Sequence, residues 1–170
     1  MPGIDLKLID RDDDFEKSKY LCALAHSQWN HNGSNTPLSG DPLSILSEAR
    51  DGSRFRCVKH SILLQAIMYA ARIMGRVLYL HAEDVENRKV GADHVVIESF
   101  SEMHKKWIML DPQNNAYAEA KGIPLNALEL GMTLENVPES VSFPNVGRSF
   151  RKDIYNSFSL TCIIFIPILK

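Results

Sequence analysis

Cys57, His94 and Asp111 are of the types, and fall in the settings, that nucleophilic acyl transfer requires. Cys57 lies in RFRCVKH (54–60), where a long apolar helical pattern begins. A cysteine in the first turn of a helix faces unpaired backbone N–H groups and the positive end of the helix dipole. Both favour the thiolate over the thiol, and Arg54, Arg56 and Lys59 add positive charge nearby. A thiolate attacks carbonyl carbon well, but turnover also needs a base to move protons and a third group to hold that base.

Six histidines compete for the role of base. His60 lies one turn along from Cys57 and would touch it, but on the same rigid helix it is poorly placed to reach a leaving group. His26, His31 and His104 fall near helix ends and turns and are expected at the surface. His81 ends a strand and could line a cleft. His94 opens a strand and is the best placed. Its orienting acid must then be chosen from three carboxylates. Glu98 shares its strand face, but four residues at ~3.3 Å each put it roughly 13 Å away. Asp93 points to the opposite face. Asp111 ends the following strand and is expected directly across from His94. Cys57-x-x-His60 also suggests a metal ligand pair, but Cys22 and Cys162 supply no second closely spaced pair. No metal and no cofactor is expected.

The elements that must hold these residues are legible from caps and periodicity. Asp13 with Glu16 forms a capping box for a helix from about Asp14 to Trp29, with Phe15, Cys22, Ala25 and Trp29 at helical spacing. Residues 30–42, NHNGSNTPLSGDP, read as a loop, and the NGS within it as a turn. Asp41 and Pro42 start a short helix ending near Gly52. The main helix spans about Arg56 to Met74 and stops at Gly75. Its expected buried stripe is Val58, Ile62, Leu63, Ala66, Ile67, Ala70 and Met74. Strands follow at 76–84, 93–100 and 106–112, the last two forming a hairpin across SEMHK. Helical potential recurs at 124–132, and 153–170 suggests a final strand or a truncated edge. One helix layer followed by a run of strands predicts an α+β fold.

The 170 residues fit a single domain, and 45% hydrophobic with 24% charged residues is the composition of a globular protein. A net charge of −2 supplies no field to steer nucleic acid or an anionic membrane. The acidic run DRDDD (10–14) reads as a solvated helix start. No signal peptide or membrane-spanning apolar run is seen, and three widely spaced cysteines suggest free thiols in a reducing compartment. Together these predict a cytoplasmic protein.

Three stretches resemble the transglutaminase-like superfamily, whose fold is related to that of papain-like cysteine proteases. They are GSRFRCVKHSILLQAIMYAARIMGRVLYL, GADHVVIESF and KKWIMLDPQNNAY, and the resemblance covers about residues 20–130. It implies a nucleophile at Cys57, a helix-breaking Gly75 before a strand with Arg76, a histidine at His94, and an acid at Asp111 following Trp107. It also implies an upstream side-chain oxyanion donor, for which HSQWNH (26–31) offers Gln28 or Trp29, beside the Cys57 backbone N–H. The implied core is papain-like, with helices packed on an antiparallel sheet.

Such a site attacks an amide carbonyl with Cys57, protonates the leaving amine from His94 and leaves a thioester. Water would complete hydrolysis of a peptide or related amide, and a lysine amine would complete a transglutaminase cross-link. The chain lacks a calcium loop of the Asp-x-Asp-x-Asp-Gly type and the accessory β-domains of the large cross-linking enzymes. Hydrolysis of a peptide or protein substrate is therefore the expectation, ahead of amine transfer. A binding module on the same fold with little activity is the alternative outside enzymology.

Overall fold

A computed structural model describes residues 13–30, 33, 35–82, 87, 93–144 and 155, with the backbone of a strand at 158–166. The acidic residues before Asp13, His31, most of the NGS turn and the Cys162 side chain lie outside the described residues.

Three helices precede the strands. Helix α1 (Asp14–His26) is capped by Asp13, which accepts from Phe15 N and Glu16 N. It stops three residues short of Trp29, which lies beyond it. Helix α2 (Pro42–Arg50) has Pro42 in its first turn and the Asp41 carboxylate accepting from Ser44 N at 2.8 Å. Helix α3 (Cys57–Ala70) starts at the cysteine itself.

The stop of α3 differs from the sequence expectation. Ile73 N bonds Met68 O at 2.9 Å and Arg72 N bonds Tyr69 O at 3.1 Å. Those are the two crossing bonds of a Schellman motif, with Arg72 left-handed at φ 59° where glycine is usual. Ile73 and Met68 are both buried in the same core. Gly75 is instead the first residue of β1 (Gly75–Ala82), where an added Cβ would stand 2.9 Å from Met68 Sδ. The buried stripe shifts accordingly. His60, Ser61, Leu63, Leu64 and Met68 face inward, whereas Ala70 and Met74 are exposed.

Strands β2 (Asp93–Ser101), β3 (Lys106–Asp111), β4 (Ala116–Tyr117) and β8 (Phe158–Ile166) join β1 in an antiparallel sheet of order β4-β3-β2-β1-β8. Short strands β5 (Glu119–Ala120), β6 (Ile123–Pro124) and β7 (Val141–Ser142) form a second sheet of order β6-β5-β7. Helix α4 (Ala127–Asn136) carries a full capping box between Asn126 and Glu129. The architecture is α+β.

The large sheet is covered on both faces. Val77, Val95 and Ile97 belong to a core with α1, α2 and α3, while Leu78, Leu80 and Val96 belong to a second core with α4, Val141 and Tyr155. This second layer was not expected from the sequence. Its pieces are too short to announce themselves by periodicity, and β2 is buried along almost its whole length as a result.

Candidate active site

The approach to Cys57 is anchored before the helix begins. Phe55 is fully buried, its carbonyl accepts from Trp29 Nε1 at 3.1 Å, and its ring meets the Trp29 ring edge-on at 5.4 Å. Arg56 precedes Cys57 in extended conformation and provides no side-chain cap, and the first turn holds no acidic residue. Cys57 is thus the first helical residue of a start without a side-chain cap, half-buried; Lys59 N turns back to Arg56 O at 3.0 Å, while the N–H groups of Cys57 and Val58 precede the first intrahelical bonds. Behind this turn the buried His60 lies tilted against Trp29, with ring centres 4.3 Å apart and 31° between the planes.

The helix is fixed to the sheet one turn later, where buried Ser61 donates to Val95 O at 3.1 Å. Val95 follows His94, so this bond sets the start of α3 over the start of β2. Cys57 lies close enough to His94 to help raise the imidazole pKa. His94 Nε2 meets Asp111 Oδ2 at 2.6 Å, leaving Nδ1 as the ring nitrogen for the sulfur.

Asp111 is entirely buried and hydrogen bonded at both oxygens. Oδ2 also accepts from Tyr155 Oη at 2.5 Å and Asn114 Nδ2 at 2.7 Å, and Oδ1 accepts from Asn114 N at 3.1 Å. Burial alone would raise its pKa. The His94 charge and the bonds from His94, Tyr155 and Asn114 outweigh that and bring it down to about 2. Burial likewise works to lower the His94 pKa. The Asp111 charge and hydrogen bond, with a contribution from Cys57, instead raise it to about 10. The pair is an imidazolium facing a carboxylate, held away from water.

The structure therefore brings Cys57, His94 and Asp111 together, with one correction to register. Ile97 faces Leu110 across β2 and β3. Continuing by one residue sets Asp111 beside Val96, so His94 lies on the diagonal and not directly opposite. Diagonal neighbours remain within reach of long side chains.

Other sequence candidates have structural partners. Glu98 accepts from Arg76 Nη2 at 2.6 Å and Nε at 2.9 Å, and from Ala127 N at 2.8 Å. The Arg76 guanidinium in turn lies 4.1 Å from the Trp107 ring centre. This brace joins β1, β2, β3 and α4. His26 and His104 are half-buried rather than at the surface. His26 Nδ1 contacts Gln113 O at 3.0 Å and His104 Nδ1 contacts Ser101 Oγ at 3.0 Å. His81 Nδ1 pairs with Asp93 on the neighbouring strand.

Both upstream oxyanion candidates have their side-chain N–H groups engaged locally. Trp29 Nε1 is bonded to Phe55 O, and the Gln28 amide donates to Leu24 O at 2.8 Å and Ser27 Oγ at 3.2 Å. Both N–H groups hold local backbone and side chains in place.

Sequence reasoning missed Asn114 and Tyr155. Asn114 had a local signal, since an asparagine three residues beyond a turn-forming aspartate is placed to bond back to it. Tyr155 had none, because its partner is 44 positions away. A groove of about 610 Å³ at the far end of α3 is lined by Gln65, Tyr69, Arg72 and Met74 among others, and holds no nucleophile or acid–base pair. The chemistry points to Cys57 in preference to this groove.

No protein family, curated protein or solved structure matches this chain.

Proposed function

We propose that this protein is a cysteine-dependent acyl-transfer enzyme of transglutaminase-like, papain-like type, acting on a peptide or related amide and resolving its thioester with water. One observation carries the reading: a buried imidazole bonded to a buried carboxylate, within electrostatic reach of a half-buried cysteine at an uncapped helix start.

In this mechanism the sulfur of Cys57 adds to the substrate carbonyl carbon in the thiolate–imidazolium form of the pair. His94, which keeps its proton to about pH 10 in the ion pair, passes that proton to the leaving nitrogen as the C–N bond breaks. Neutral His94 then takes a proton from the incoming water, and the thiolate leaves. Asp111 keeps Nε2 protonated throughout and so holds the tautomer in which Nδ1 exchanges the working proton.

Acetylated peptide amides of aminomethylcoumarin test this directly. Wild-type protein should release coumarin without calcium, Cys57→Ala should release none, and iodoacetamide should modify Cys57 well before the fully buried Cys22. Coumarin release that survives Cys57→Ala refutes the assignment. Efficient calcium-dependent incorporation of a labelled primary amine would replace hydrolysis by amine transfer.

A further inference from the structure

Gln28 and Trp29 have their N–H groups bonded elsewhere, so the developing oxyanion lacks a side-chain donor on the helix side. The opposite wall supplies one. Tyr79 lies on β1 directly opposite Val95 of β2, the residue whose carbonyl anchors Ser61. Cys57 and Ser61 are four residues apart and share a helix face, so Cys57 stands one turn before that anchor. Both Tyr79 and Cys57 are half-buried and pack on the same core.

The Tyr79 ring is held from behind. It stacks on His81 at 6.2 Å between ring centres and 28° between planes, and His81 is itself paired with Asp93 across the two strands. The Tyr79 hydroxyl has no hydrogen-bond partner among the described residues. Burial, then the charges of Cys57 and Asp93, push its pKa upward, so it keeps its proton and remains a donor.

We propose that the Tyr79 hydroxyl is the side-chain oxyanion donor of this site, acting with the Cys57 backbone N–H and braced by the His81–Asp93 pair. The proposal rests on the cysteine acyl-transfer reading. As the S–C bond forms, the carbonyl π pair moves to oxygen, and that oxygen accepts a hydrogen bond from Tyr79 without taking its proton. On collapse the pair returns to form C=O, the C–N bond breaks, and the proton for the leaving amine comes from His94.

Tyr79→Phe removes one oxygen and keeps the ring on His81. Loss of one oxyanion donor should lower kcat by roughly 10²–10³-fold with little change in KM. Affinity for a peptide aldehyde, which forms a tetrahedral adduct with Cys57, should fall alongside kcat. Alkylation by iodoacetamide displaces iodide without forming an oxyanion, so its rate at Cys57 should stay within about twofold of wild type.

Unchanged turnover and aldehyde affinity in Tyr79→Phe would overturn the proposal. So would a fall in alkylation as large as the fall in kcat, which would place Tyr79 on the thiol. Failure of the underlying reading looks different, because wild-type protein would then form no aldehyde adduct at Cys57.

Discussion

Tyr155→Phe isolates one of the three donors that converge on Asp111 Oδ2. The ring itself should stay in place, stacked on Phe143 at 5.2 Å and edge-on to His94 at 6.1 Å, so little apolar packing is lost. What disappears is a 2.5 Å hydroxyl–carboxylate bond in a fully buried setting. Hydrogen bonds to charged groups contribute about 1.5–3 kcal/mol, so the variant should be destabilised by about that amount at pH 7. The pH dependence distinguishes this from a packing effect. Tyr155 is among the groups that depress the Asp111 pKa from 3.8 to about 2. The stability it adds is therefore present above 3.8 and lost as pH falls through the folded value. Urea unfolding of wild type and variant from pH 7 down to pH 2.5 should show the gap closing towards the acid end. In an Asp111→Asn background the same change should cost only ~0.5–1.5 kcal/mol, the worth of a neutral hydrogen bond. A gap that stays constant with pH, or a cost equal in both backgrounds, would refute the reasoning.

Asp111→Asn should lower turnover by roughly two to four powers of ten while leaving Cys57 open to alkylation, since the tautomer is lost but the helix start remains. Glu98→Gln, which weakens the brace to Arg76, should cost stability but reduce turnover far less than Asp111→Asn, as coumarin release from the folded variants will show. Because the His94 pKa is raised from 6.5 to about 10, its contribution to stability is complete below about pH 6.5 and is lost as pH rises through 10. Unfolding from pH 6 to 10.5 should show wild type converging on His94→Gln at the alkaline end.

Cys57, His94 and Asp111 were legible as a candidate site because each sits at an element boundary that local chemistry marks. Cys57 starts an apolar helix, His94 starts a β-branched strand, and Asp111 precedes a proline turn. The hairpin between β2 and β3 followed from its loop length, but its register did not, since a shift between opposite and diagonal placement leaves the alternation of faces unchanged. The stop of α3 was misplaced because glycine is the usual left-handed residue and Arg72 takes that role here. Tyr155, and the second layer that contains it, depend on pairings tens of residues apart that no local period encodes. Two of the histidines assigned to the surface were misjudged: His26 meets a carbonyl 87 positions away, and His104 folds back onto Ser101 at the end of β2.

The first two residues of β2 let one strand start hold side chains on both faces of the sheet. Asp93 and His94 point to opposite faces because side chains alternate along a strand. On one face His94 is held by Asp111 and Tyr155, and on the other Asp93 holds His81, on which Tyr79 stacks. A one-residue slip of β2 would exchange the two faces and dismantle both arrangements together. Burial on both faces from His94 to Ser99 opposes such a slip, because each alternate register would expose apolar side chains or bury charged ones without partners. The Arg76–Glu98 pair fixes the same register from the other end of the strand, directly across β1 and β2. Its position four residues from His94, too far to touch the imidazole, is thus consistent with a role in placing the chemistry without taking part in it.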